Sequence, residues 1–204
     1  MSRYTGPRVR VMRALGVDLP GLSRKTIDRR PYPPGDHGGN KRGRQSVFGI
    51  QLKEKQKLKM NYGLTERQMR INVKKARRSK VNTGTRLLEL LESRLDNVVF
   101  RAGFAPTIPA ARQLVNHGHF LLNGRKTDIP SALVGAGDVI QLREKSQKLQ
   151  IVVDALERPS LEIPTWLSFD LAEKTVKVVS DADAETVPFP IDIQQVIEYY
   201  ASRM

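Results

Sequence analysis

The sequence predicts an α+β fold: a helical domain with a basic N-terminal arm, plus a module of helices packed on a small antiparallel sheet. Three observations carry this reading. Apolar residues recur at spacings of three and four through residues 47–116 and again at 193–200; short segments bounded by Gly, Asn and Pro follow at 119–143 and 166–179; and the first 46 residues are rich in Gly, Pro, Arg and Lys. With 39% hydrophobic residues in a 204-residue chain there is enough apolar surface for a real core, which excludes disorder throughout.

Residues 1–46 read as an extended basic arm with turns and one short helical possibility, Arg8 to Leu15. The prolines and glycines of Pro31 to Arg44 break both helix and strand, so this stretch is expected to order only against a partner. Ser46 can cap a helix to about Tyr62, closed by Gly63, and Thr65 opens another to about Ser79. This helical domain, 47–92, is expected to be completed by a C-terminal helix at 190–204, whose Ile193, Val196, Ile197 and Tyr200 form a stripe that must bury against the earlier helices. Leu87, Leu91, Leu95 and Val98 continue at helical spacing, and Ser93 with Asp96 has the form of an N-cap and its N3 acid, so two helices are expected to meet near Ser93. The module, 93–180, then reads as a helix from Pro109 to Asn116, a strand from His119 to Leu122, an Asn123-Gly124 turn, a returning strand, and a strand from Asp138 to Arg143. Residues 145–157 read as helix, and Trp166 to Asp170 with Thr175 to Val179 as short strands.

Charge is distributed unevenly. Residues 1–80 carry a net +17, residues 81–150 carry +3 and residues 151–204 carry −6, within a formal total of +14. Like charges at the front density repel one another, and a phosphate backbone is the partner that best relieves that repulsion; an anionic membrane surface ranks second. No apolar run reaches eighteen residues, and the first thirty are basic and interrupted by Gly6, Pro7, Pro20 and Gly21, so neither a membrane span nor export is expected. Cysteine is absent, which removes disulfides, thiolate metal sites and cysteine nucleophiles and fits a reducing compartment.

The residues expected to meet a polyanion follow from this distribution. They are Arg3, Arg8, Arg10, Arg29, Arg30, Lys41, Arg42 and Arg44 in the arm, and Lys53, Lys55 and Lys57 on the first long helix. On the second, Arg67, Arg70, Lys74, Arg77 and Arg78 share one face, with Met69, Val73 and Ala76 turned away. In the module, Arg112, Gln113, Asn116, His117 and His119 offer cation, amide and imidazole groups beside a hairpin carrying Asn123, Arg125 and Lys126, with Arg143 and Lys145 on the next strand. Few aromatics accompany them, so single-strand stacking platforms are not indicated; phosphate and 2′-hydroxyl groups of folded RNA are the natural ligands.

The stretches RLDNVVFRAGFAPTIPAARQLVNHGHFLLNG (94–124), DIPS (128–131) and GDVIQLREKS (137–146) closely resemble the RNA-binding module of small-subunit ribosomal protein S-four. RRPYPPGDHG (29–38) and QLKEKQKLKMNYGLTERQ (51–68) resemble that family's amino-terminal domain, and PTWLS (164–168) with VIEYY (196–200) its end. The resemblance implies a module inserted into the helical domain and direct binding to a multi-helix junction of small-subunit ribosomal RNA early in assembly. It also implies a place beside neighbouring small-subunit proteins at the channel through which messenger RNA enters, with an influence on decoding accuracy, in the ribosomes of a bacterial cytoplasm or of an organelle. Many relatives hold zinc through amino-terminal cysteines that this chain lacks, so no metal and no cofactor are expected. Ile108, Pro109 and Ala132 depart from the family pattern, and no phosphate contact is carried over there.

Enzymatic readings lack their parts. Arg94-Leu95-Asp96 superficially matches the R-L-D of pseudouridine synthases, but it opens an amphipathic helix, and Asp96 is expected to cap or to form an ion pair. His117 and His119 have no nearby acid or thiol ligand, His37 has no evident Ser or Asp partner, and no phosphate-binding G-x-x-x-x-G-K-[ST] loop exists. A free-standing RNA chaperone or repressor, or the recognition part of a modifying enzyme, are the alternatives to a ribosomal scaffold. Residues 159–204, acidic on balance and apolar at Trp166, Phe169 and Phe189, are expected to face protein neighbours and the chain's own helices, leaving Asp181, Asp183 and Glu185 exposed.

Overall fold

A computed structural model of the chain describes residues 4–40, 45–201 and 203. In chain order the elements are α1 (Arg8–Leu15), α2 (Val47–Asn61), α3 (Glu66–Arg77), α4 (Thr83–Glu92), α5 (Leu95–Arg101), α6 (Ile108–Asn116), β1 (Phe120–Leu122), β2 (Arg125–Thr127), β3 (Val139–Leu142), α7 (Gln150–Glu157), β4 (Leu167–Asp170), β5 (Thr175–Val178) and α8 (Ile193–Ala201). They form two compact units, Met1–Leu87 with Pro188–Met204, and Leu88–Val187, so that the boundary falls inside α4. The α+β class expected from the sequence is what the chain adopts.

In the first unit α8 packs along α2, and α1 and α3 meet this pair. Ser46 accepts a hydrogen bond from the Gly49 amide at 3.2 Å to start α2. Thr65 opens α3 with a full capping box, its side chain accepting from the Gln68 amide while the Gln68 side chain accepts from the Thr65 amide. Val196 and Tyr200 of the C-terminal stripe are buried as periodicity required. Glu66 is the polar node of this unit. Its carboxylate accepts from Lys55 Nζ on α2 at 2.9 Å and from the Tyr200 hydroxyl on α8 at 2.8 Å. Burial alone would raise the Glu66 pKa, but the hydrogen bonds from Lys55 and Tyr200 and the charges of Lys55 and Lys59 outweigh it and hold it below its ordinary value. Burial and the same bond push the Tyr200 hydroxyl well above its usual range.

The N-terminal segment departs from the extended arm expected. Met12, Leu15, Val17, Leu19 and Leu22 are buried, and the Gly21 amide donates to Asn61 Oδ1 at the end of α2. Five apolar residues spread over eleven positions are enough to dock the segment once α1 brings Met12 and Leu15 to one face, which the abundance of Gly and Pro around them conceals.

The second unit is built on a five-stranded antiparallel sheet in the order β2-β1-β3-β5-β4. Phe120, Ile140, Leu142, Leu167, Val176 and Val178 are its buried side chains. Phe104, just after α5, meets Phe120 and Phe169 edge-on at centroid distances of 5.4 and 5.5 Å and links the helices to the sheet. Asn123 and Gly124, with φ of 50° and 76°, make the tight turn between β1 and β2 that their sequence predicts. The expected helix at 145–157 is broken: a 3-10 turn at Glu144–Ser146 precedes α7, because Ser146 is buried with its hydroxyl 2.8 Å from His119 Nδ1 and Leu149 takes an extended conformation. Trp166 lies inside this unit, its indole donating to Thr186 Oγ1, and Phe169 lies there with it. Phe189 lies in the first unit against Tyr62. All three aromatics are thus used within their own units, whereas Asp181, Asp183 and Glu185 are exposed as expected.

Two outcomes follow for stability. Thr65→Ala removes the capping side chain of α3 and is expected to destabilise the chain by about 1 kcal/mol, read by urea unfolding. Because Glu66 is depressed in the folded state, its contribution is present above the ordinary carboxylate value of 4.5 and is lost as pH falls through the lower folded value. Glu66→Gln should therefore flatten the acid limb of a stability-against-pH curve, and an unchanged acid limb would contradict the pairing.

Candidate nucleic-acid interface

In the first unit the cations divide into two groups. Arg67, Arg70, Lys74, Arg77 and Arg78 all stand exposed on α3 while Met69, Val73 and Ala76 of the same helix are buried, so the helix presents a continuous guanidinium and ammonium face to solvent. Arg10, Arg29 and Arg30 are exposed as well. Lys75 and Lys80 extend the α3 face; the run KKARRSK at 74–80 signalled them, and strict helical spacing set them aside. Arg3, Lys41, Arg42 and Arg44 lie outside the described residues.

The second group is turned inward. Lys55 is 4% exposed and bonded to Glu66, and Lys57 donates to Glu54 Oε1 at 2.6 Å, with Glu54 in turn accepting from the Asp192 amide before α8. Lys53 is half-buried, and Arg8 reaches the Leu22 carbonyl at 3.3 Å. Lys55 and Lys57 are therefore not the free phosphate ligands that the sequence suggests. The helix is covered by α8, and buried ammonium groups there require carboxylate partners.

The second unit shows the same division. Asp96, with no exposure, accepts from Arg94 Nε at 3.0 Å and Nη2 at 2.8 Å, and from Arg112 Nε at 3.0 Å and Nη2 at 2.7 Å. Arg112, expected to meet RNA, is thus a structural partner that ties α6 to α5. Asp96 forms the ion pair that was one of its two expected roles. The Ser93 cap does not form: the N-terminus of α5 begins at Arg94 without a side-chain cap, and the amides of Leu95 and Asp96 donate to the carbonyls of Ala132 and Pro130. A neighbouring loop supplies the acceptors, so a capping side chain is not needed. Glu92, Asn97 and Arg101 form a second buried polar set beside it.

The groups left on this surface lie at the C-terminal end of α6 and on the adjoining hairpin. Gln113, Asn116, His117, Arg125, Lys126 and Lys145 are exposed. Arg143 donates to the Gly118 carbonyl at 3.1 Å, and a Cβ at Gly118, whose φ is +70°, would meet the Lys126 side chain, so that chain crosses the helix end closely. Burial first, then the neighbouring charges of His117 and Arg143, lower the pKa of His119 and favour a neutral ring. Asn123 is not a free donor. Its side chain donates to Asp138 Oδ1 and accepts from the Val139 amide, locking the hairpin turn to the start of β3. Among the described residues no cluster of His, Asp and Glu could hold a metal ion, and no helix is long and apolar enough to cross a membrane.

Comparison with known proteins gives a consistent result. The family profile described as the ribosomal protein S4/S9 N-terminal domain matches residues 3–92, and that of the S4 domain matches residues 93–140. Small ribosomal subunit protein uS4 of Methylobacillus flagellatus and protein uS4B of Nitrosomonas europaea are each 59% identical to this chain over the full length of both. Small ribosomal subunit protein uS4 of Synechococcus elongatus is 53% identical, again over the full length.

The two classes of cation differ in what their removal does. Arg112→Ala is expected to lose about 1.5–3 kcal/mol of stability by withdrawing charged hydrogen bonds from a buried carboxylate. Arg125→Ala and Lys126→Ala should each stay within about 0.5 kcal/mol of the parent. Denaturant unfolding of the three variants measures this, and equal losses at all three positions would erase the distinction.

Proposed function

Because this chain belongs to the small ribosomal subunit protein uS4 family, we propose that it is a structural component of the small subunit in cytoplasmic ribosomes that binds ribosomal RNA directly and is not an enzyme. The observation that carries the mechanism is the exposed cationic face of α3, five residues deep, on a helix whose opposite face is buried. A rigid helix with guanidinium groups fixed on one side meets phosphates without reordering the backbone, so the conformational cost of binding falls mainly on side chains. The second patch, from His117 to Lys126 with Lys145, offers cations and amides of the kind that meet an A-form minor groove, where shape and 2′-hydroxyl groups are read in place of base edges.

Two patches, one on each unit, suit a multi-helix junction better than a single duplex, since each unit can hold a different arm of the RNA. On this reading the protein fixes junction geometry early and so nucleates assembly of its surroundings. Its arm, through Lys41, Arg42 and Arg44, meets messenger RNA near the channel through which it enters, and contacts with neighbouring small-subunit proteins bear on decoding accuracy. The acidic stretch at Asp181, Asp183 and Glu185 suits a basic protein neighbour, because exposed carboxylates repel phosphate.

Sedimentation of a lysate through a sucrose gradient tests the assignment: the chain should comigrate with small subunits at near-stoichiometric amounts, and recovery only in ribosome-free fractions would sink it. Binding to a junction fragment of small-subunit RNA should weaken with salt at a log-log slope of roughly −0.7 to −0.9 per phosphate neutralised. Several contacts should show, and a slope near zero would contradict a phosphate-dominated mechanism.

A further inference from the structure

The loop from Arg29 to Gly38 holds three prolines within four positions, and prolines carry no amide hydrogen, so this backbone cannot build a hydrogen-bonded ladder of its own. Its carbonyls need donors from elsewhere. One side chain supplies three of them. Arg13, at the last turn of α1, donates from Nε to the carbonyls of Arg30 at 3.1 Å and Tyr32 at 3.0 Å, and from Nη2 to the carbonyl of Pro33 at 3.4 Å. Its guanidinium also lies 5.0 Å from the centre of the Tyr32 ring.

The loop is held from other directions as well. The Ile27 amide donates to Asp18 Oδ1 at 2.9 Å and the Arg30 amide to the Ile27 carbonyl at 2.8 Å. Gly38 is buried against Pro33 so closely that a Cβ there would sit 1.9 Å from the Pro33 carbonyl oxygen. Arg30 and Tyr32, each preceding a proline, are confined to extended conformations by that neighbour alone. The side chains of Arg29 and Arg30 nonetheless point free of these contacts and are exposed. A loop that the sequence suggests would order only on its partner is therefore already built in the free chain.

We propose that Arg13 is a positioning residue for RNA binding: it does not itself take a phosphate but fixes the 29–38 loop so that Arg29 and Arg30 are presented to the RNA backbone in advance. This rests on the RNA-binding reading above. The guanidinium is spent on three carbonyls and a ring, and a planar fork is what such a set of acceptors requires; an ammonium group cannot span it. Preforming the loop removes an ordering cost that binding would otherwise carry.

The test uses the full chain and a junction fragment of small-subunit ribosomal RNA, with affinity followed across a salt series. Arg13→Lys keeps the net charge and so isolates positioning from simple attraction. Arg29→Ala with Arg30→Ala should flatten the salt slope by about 2, one for each phosphate contact. Arg13→Lys should flatten it by roughly 1 to 2 despite the unchanged charge, and the triple variant should be no worse than the double. Gly38→Ala disturbs the same loop from the Pro33 side and should reproduce the Arg13→Lys phenotype, while in both variants trypsin should cut after Arg29 faster in the RNA-free protein. Wild-type affinity and slope for Arg13→Lys, or losses that multiply in the triple variant, overturn the proposal and leave RNA binding intact. A parent chain with no salt-dependent binding overturns both.

Discussion

A carboxylate cannot sit in a protein interior without partners, and Asp96 sits there with none of its surface in water. It is satisfied by two guanidinium groups, one from the residue two places before it and one from α6, sixteen residues on. Much of the second unit hangs on this. The pair fixes where α5 begins relative to α6, and the loop at 130–134 closes over the same helix end through the Arg94–Leu133 bridge and the amides of Leu95 and Asp96. With α5 and α6 locked, Phe104 is delivered to Phe120 and Phe169, and the sheet acquires its covering. The exposed patch at the far end of α6 inherits its position from that lock.

Glu66 does comparable work in the first unit with different chemistry. One carboxylate at the start of α3 gathers an ammonium from α2 and a phenol from α8, so three helices converge on a single acid. Placing an acid in the first turn also suits the α3 dipole. The last turn of that helix carries Lys74, Lys75 and Arg77, where the partial negative charge of the C-terminus offsets part of their mutual repulsion.

In a chain with a formal charge of +14, then, folding selects which cations are consumed internally. Arg94 and Arg112 are consumed by Asp96, Lys55 by Glu66, Lys57 by Glu54, and Arg13 by a proline-rich backbone. What remains outside is concentrated on α3, on the arm loop and at the end of α6. Counterion release upon binding draws only on this remainder, so the formal charge overstates the number of phosphates the protein can neutralise.

The sequence by itself determined the local features, because each is settled within a few residues: the capping box at Thr65, the Asn123-Gly124 hairpin, the two faces of α3 and the apolar stripe of α8. Its motifs also carried the family and the α+β class. Only tertiary structure decided which polar groups are spent. Arg112 and Lys55 look like phosphate ligands in sequence because a cation at helical spacing reads alike whether it faces solvent or a carboxylate from another element. The failed cap at Ser93 has the same origin, since acceptors for α5 arrive from residues 130–132, nearly forty positions away. So does the docking of residues 12–22, where the Gly21 amide finds its acceptor in Asn61 at the end of α2, forty residues on. Local backbone preference is written in the neighbours along the chain; the pairing of charges and the burial of apolar groups depend on distances that only the folded chain creates.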